Sequence, residues 1–76
     1  MSNPKFRPIE LNRQKRLMGL YSWGKMNIPK EEVFETIALH RLTERAQGEF
    51  GVTYHTALGY AKTVLMRLRR EVPVEA

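Results

Sequence analysis

The stretch from Leu42 to Leu65, LTERAQGEFGVTYHTALGYAKTVL, holds two helical patterns separated by a short break, and the break decides the fold. Behind it, Ala57, Ala61, Val64 and Leu65, continued by Leu68, fall on one face of a helix. Ahead of it, Leu42 and Ala46 lie one turn apart. Gly51 suits the left-handed position that ends a helix. Thr53 suits the position that starts the next, because its hydroxyl can accept the backbone N–H of Thr56. Val52 can then pack against Ala57 across that first turn. The pattern predicts a helix over Tyr54 to Glu71, closed by Pro73, which disfavours helical backbone at Val72.

Working toward the N-terminus, Phe34, Ile37, Ala38, Leu42 and Ala46 recur at helical spacing and predict a buried stripe, with Phe50 extending it. Pro29 suits the first turn of that helix, where Glu31 and Glu32 complement the dipole; Gly48 weakens its last turn. A first helix is predicted from Ile9 or Glu10 to Trp23, with Leu17, Leu20 and Tyr21 inward and Arg13, Gln14, Lys15 and Arg16 mostly solvated. Gly24 is its expected stop. Pro4 and Pro8 do not tolerate interior helix positions, so residues 1–8 are expected to be a flexible basic arm. Residues 9–72 then form the helical domain and 73–76 a tail, to which Val72–Val74 can add a short extended piece.

A chain of 76 residues supports one domain and no cleft between domains. Its 42% hydrophobic and 28% charged residues are a globular balance. Without cysteine, neither disulfides nor a cysteine-based zinc site stabilises it, and His40 and His55 stand too far apart in sequence to suggest another metal. No Gly-rich phosphate loop or nucleophile motif occurs, so no enzyme, cofactor or small-molecule substrate is expected. No apolar run is long enough to span a bilayer and the first residues lack a secretory core, which predicts a cytoplasmic, nucleoid-associated protein with no membrane partner.

The net charge is +5, with a pI of about 10.0. Its layout is more telling than its total. Residues 1–25 hold Lys5, Arg7, Arg13, Lys15, Arg16 and Lys25 against Glu10 alone, the middle third is acidic, and Lys62, Arg67, Arg69 and Arg70 make the last third basic again. Such clusters favour phosphate. Arg67, Arg69 and Arg70 also complement the negative end of their own helix, and they are left out of the candidate site.

The run Phe50-Gly51-Val52-Thr53, followed by Thr56-Ala57 and Tyr60, resembles the helix-turn-helix DNA-binding superfamily, most closely small archaeal transcription regulators with a Phe-Gly-Val-Ser/Thr turn. The resemblance covers residues 42 to 65. Ala46 stands five positions before Gly51, where the commoner bacterial form has its alanine four before. The resemblance implies an all-α, compact three-helix domain with a C-terminal helix-turn-helix. It places Val52, Ala57 and Tyr60 in the core, Thr53, Tyr54, His55, Leu58, Gly59 and Lys62 toward DNA, and Thr56 near the phosphates. Hydroxyls and helix-start N–H groups suit phosphate, His55 suits a base edge, and Leu58 suits a thymine methyl. Lys5 and Arg7 of the arm suit a minor groove. The implied function is sequence-specific binding of double-stranded DNA, as a homodimer spanning two half-sites, with Trp23 and Met26 as a candidate apolar contact. A helical protein-interaction adaptor and an RNA-binding module are the alternatives, since a plain helical hairpin supplies the same stop and start.

Overall fold

A computed structural model describes residues 8–73, with side chains from Asn12 onward. It contains three helices, α1 (Pro8–Asn27), α2 (Thr36–Phe50) and α3 (Tyr54–Glu71), with a 3₁₀ turn over Lys30–Glu32. The described chain is all-α, a compact three-helix domain.

The break between α2 and α3 forms as its residues dictate. Gly51 has φ 62°, in the left-handed region, and its N–H closes the last turn of α2 on the Gln47 carbonyl at 2.9 Å. Thr53 is extended, and its Oγ1 accepts the N–H of Thr56 at 3.3 Å. The buried row of α3 is Ala57, Tyr60, Ala61, Val64, Leu65 and Leu68, the predicted face with Tyr60 added as the turn motif implied.

The first two helices depart from the predicted boundaries. Gly24 does not stop α1 but lies buried within it, and a Cβ there would stand 3.0 Å from Leu68 Cδ1 and 3.3 Å from Leu42 Cδ2. The missing side chain lets α1 approach both other helices, and α1 runs on to Asn27, whose side-chain amide caps the Trp23 carbonyl at 2.9 Å. Pro29 opens only the 3₁₀ turn, and α2 begins seven positions later. The detour buries Ile28 and Val33 in the core. It also takes Phe34 and Ile37 out of the predicted stripe, leaving them 51% and 41% exposed. The buried positions of α2 are Ala38, Leu42, Thr43 and Ala46, and the Thr43 hydroxyl is satisfied by the Leu39 carbonyl at 2.7 Å. Gly48 remains helical.

Contacts fix the helix directions. Arg16 meets Tyr60, Tyr21 meets Arg67 and Glu71, and Gly24 meets Leu68, so α1 and α3 run the same way. α3 returns along α2: Phe50 lies edge-on to Tyr60 beside the turn, and Arg69 Nε–H donates to the Val33 carbonyl at the far end. Ala38, Ala46, Ala57 and Ala61 are wholly buried, and these small side chains bring α2 and α3 close together.

At the carboxyl ends of α1 and α3, the Tyr21 hydroxyl donates to the Glu71 carboxylate, and Arg67 stacks on the Tyr21 ring at 4.3 Å. That hydrogen bond, aided by the charges of Lys25 and Arg67, holds the Glu71 carboxyl below its ordinary value of 4.5. A carboxyl whose pKa falls on folding stabilises the fold above its unfolded value, and the contribution is lost as pH falls through the folded value. The wild type is therefore expected to lose more stability below pH 4.5 than Tyr21→Phe does. Thermal midpoints across that limb check this, and parallel curves would refute it.

Candidate nucleic-acid interface

The outer face of α3 is bare. Thr53, Tyr54, His55, Thr56, Gly59 and Lys62 are all exposed, as the turn motif implied. Leu58 is different. It lies seven residues before Leu65, hence on nearly the same row, and is half-buried rather than fully exposed. Lys5 and Arg7 lie outside the described residues.

The amino end of α3 is tightly organised. Besides capping the Thr56 N–H, the Thr53 hydroxyl lies 3.1 Å from that of Thr56, so the two hydroxyls form one local cluster. The N–H groups of Tyr54 and His55 precede the first intrahelical bond, which runs from Ala57 N–H to the Thr53 carbonyl at 2.9 Å. The Tyr54 and His55 rings meet edge to face, 6.2 Å between centroids. One aromatic and one imidazole edge thus share the start of the helix.

Gly59 sits in the middle of this face. A Cβ added there would meet nothing within 4 Å, so no contact inside the chain requires glycine. In an exposed helix interior glycine costs about 1 kcal/mol relative to alanine, and here internal packing offsets none of it. The small residue leaves room outside the chain.

Arg16 joins the site from α1, a residue the sequence placed among solvated cations. Its guanidinium donates to the Tyr60 hydroxyl at 3.2 Å and lies 5.6 Å from the centre of the Phe50 ring, braced beside the α2–α3 turn. The four-residue spacing Arg16-Leu20-Gly24 is the signal in the sequence, since Leu20 and Gly24 are buried and Arg16 shares their face. Arg13 and Lys15, earlier on α1, are exposed and form no ion pair among the described residues.

The other charges are largely spent internally. Glu32 pairs with Arg41, Glu49 with Arg45, Glu44 with His40 and Glu71 with Arg67, at 3.2 to 3.6 Å. The two arginine pairs neutralise Glu32 and Glu49 of the acidic middle third, while Glu31 and Glu35 form no ion pair among the described residues. Lys62 and Arg70 of α3 are exposed and make no ion pair among the described residues. Trp23 is half-buried with Arg45 stacked 5.4 Å from its ring centre, and Met26, one turn on, is 85% exposed. Among the described residues no three His, Asp or Glu side chains gather as a metal site, and no helix is long and apolar enough to cross a membrane.

No protein-family model matches the chain, nor does any curated protein or solved structure. The case for a function therefore rests on the residues themselves.

Proposed function

We propose that the chain binds double-stranded DNA with the outer face of α3, reading the major groove through Tyr54, His55 and Lys62 and acting as a small transcriptional regulator. Gly59 carries this reading by its place: Gly19 and Gly48 are likewise exposed helical glycines with nothing near an added Cβ, but Gly59 alone of the three lies on α3 among Tyr54, His55 and Lys62, where a missing side chain admits the close approach of an outside backbone. Thr53, Thr56 and the helix-start N–H groups suit the flanking phosphates, and Arg16 supplies a braced cation beside them. The free charge on α1 and α3 is cationic, which suits phosphate. Localisation with the nucleoid follows from the same reading, and no catalytic step is assigned.

A second reading has an observation of its own. α3 lies back along α2 as in an ordinary helical hairpin, which suits an adaptor that docks on protein. Salt separates the two. Contact with about four phosphates gives a slope near −3.6 in log affinity against log salt, an approximately 150-fold loss between about 50 and about 200 mM. Fluorescence anisotropy with labelled duplex measures it, and no duplex binding at the lowest salt would sink the proposal. Selection of bound duplexes from a random pool then tests the reading face. Tyr54→Ala and His55→Ala are expected to change the selected sequence, and Lys62→Ala to weaken binding to all of them.

A further inference from the structure

At the carboxyl end of the bundle, between the last turns of α1 and α3 and the connection that follows α1, lies a pocket of about 430 Å³. Its apolar wall is Ile28, Val33, Leu68 and Val72, and Gly24, over which Leu68 packs, closes it toward the core. The detour that carries the chain from α1 to α2 thus builds one side of the pocket while it seats Ile28 and Val33. Small-molecule sites have this character: concave, of similar volume, mostly apolar, with a few placed polar groups.

The polar groups select the ligand. Lys25 and Lys30 border the pocket, and neither forms an ion pair among the described residues. Glu71 borders it too, but its carboxylate already accepts from the Tyr21 hydroxyl and pairs with Arg67 at 3.6 Å. Arg69 and Arg70, in the last turn of α3, offset the negative end of that helix. Two lysines beside an apolar wall therefore remain for a molecule that is itself apolar with one anionic end. We propose that the pocket binds a small organic carboxylate, its apolar body against Ile28, Val33, Leu68 and Val72 and its carboxylate on Lys25 and Lys30. Lysine suits the task, because its methylene stem extends the apolar wall while its ammonium stays at the mouth.

The site is independent of the DNA reading. It lies at the opposite end of α3 from Tyr54 and His55, and it shares no residue with the face that runs from Thr53 to Lys62. A bound carboxylate leaves that face uncovered.

Titration of the full chain with octanoate, followed through the amide NMR spectrum, tests the site. Shifts are expected to centre on Gly24, Ile28, Val33 and Leu68 and to leave Tyr54 to Lys62 in place. 1-Octanol, which has the same body without the charge, should bind about tenfold more weakly. Lys25→Gln and Lys30→Gln should each lower octanoate affinity about threefold, and the double variant should bind octanoate no better than 1-octanol. Both lysines are exposed, so helical circular dichroism should be retained throughout. Lys15→Gln removes the same charge from an exposed site on α1 outside the pocket and should leave the affinity within about twofold of wild type. Absence of any shift, shifts centred elsewhere, equal affinity for octanoate and 1-octanol, or a double variant that keeps the preference for octanoate would each overturn the proposal.

Discussion

Truncating Leu42 to alanine is expected to remove about 3 kcal/mol of folding stability, since a fully buried leucine loses both its transfer free energy and the contacts around the cavity it leaves. The position is more demanding than its burial alone implies. Leu42 and Leu68 both reach the space above Gly24, where α1 lacks a side chain, so one residue of α2 ties all three helices together. A domain of this size holds about 4–11 kcal/mol in total, so the loss is a quarter or more of it. The alanine's slightly better helix propensity offsets only a few tenths of a kcal/mol. Urea unfolding followed by circular dichroism measures the change. Met18→Ala, on the exposed side of the same bundle, should stay within about 0.5 kcal/mol of wild type. Equal midpoints for the Leu42 variant and wild type would mean that the three helices do not meet as described.

Gly59→Leu is expected to move stability and DNA affinity in opposite directions. Leucine is the better helix former by about 0.7 kcal/mol, which raises the thermal midpoint by about 4 °C in a domain of this size. The added side chain meets nothing inside the chain. It does fill the space into which a sugar-phosphate strand would come, so duplex affinity should fall about tenfold or more, at least 1.4 kcal/mol. Opposite signs are the point of the experiment, because damage to the fold cannot produce a more stable protein that binds less. A stabilised variant with wild-type affinity would show that this face of α3 does not approach DNA.

Gly24, Gly51 and Gly59 show where sequence reasoning succeeds and where it stops. Gly51 was legible as a helix end because its consequence is local: it precedes an apolar residue and a capping threonine, and all the hydrogen bonds of that turn lie within a few residues. Gly24 carries the same local signal as a stop. Its actual role depends on Leu68 and Leu42, which are remote in sequence, and no periodicity within α1 reveals them. Gly59 is legible as exposed, yet only the absence of any neighbour in three dimensions shows that nothing inside the chain requires it.

The start of α2 follows the same rule. Phe34 and Ile37 fit a helical stripe, and Pro29 fits a first turn, so the pattern runs the helix too early. Burying Ile28 and Val33 against α3 outweighs that pattern, and the chain spends a 3₁₀ turn to do it. The cost is two apolar side chains left at the surface. In the candidate interface, exposure of Thr53, Tyr54, His55, Thr56, Gly59 and Lys62 is what the resemblance of the turn implied. Spacing sets Leu58 on the row of Leu65 and Arg16 on that of Leu20 and Gly24, but that Tyr60 and Phe50 are the groups bracing Arg16 depends on how α1 lies against α3 and the turn.

The helix predicted to begin after Thr53 was determined by the sequence alone, with its cap, the Gly51 stop of the helix before it and its apolar row, because the interactions that set them lie within about four residues. Only the tertiary structure decided that α3 lies back along α2, that α1 runs beside it through Gly24, and that Arg16 stands next to the turn. Those outcomes depend on close packing between segments far apart in the chain, and helical periodicity specifies which face is apolar but not what that face meets.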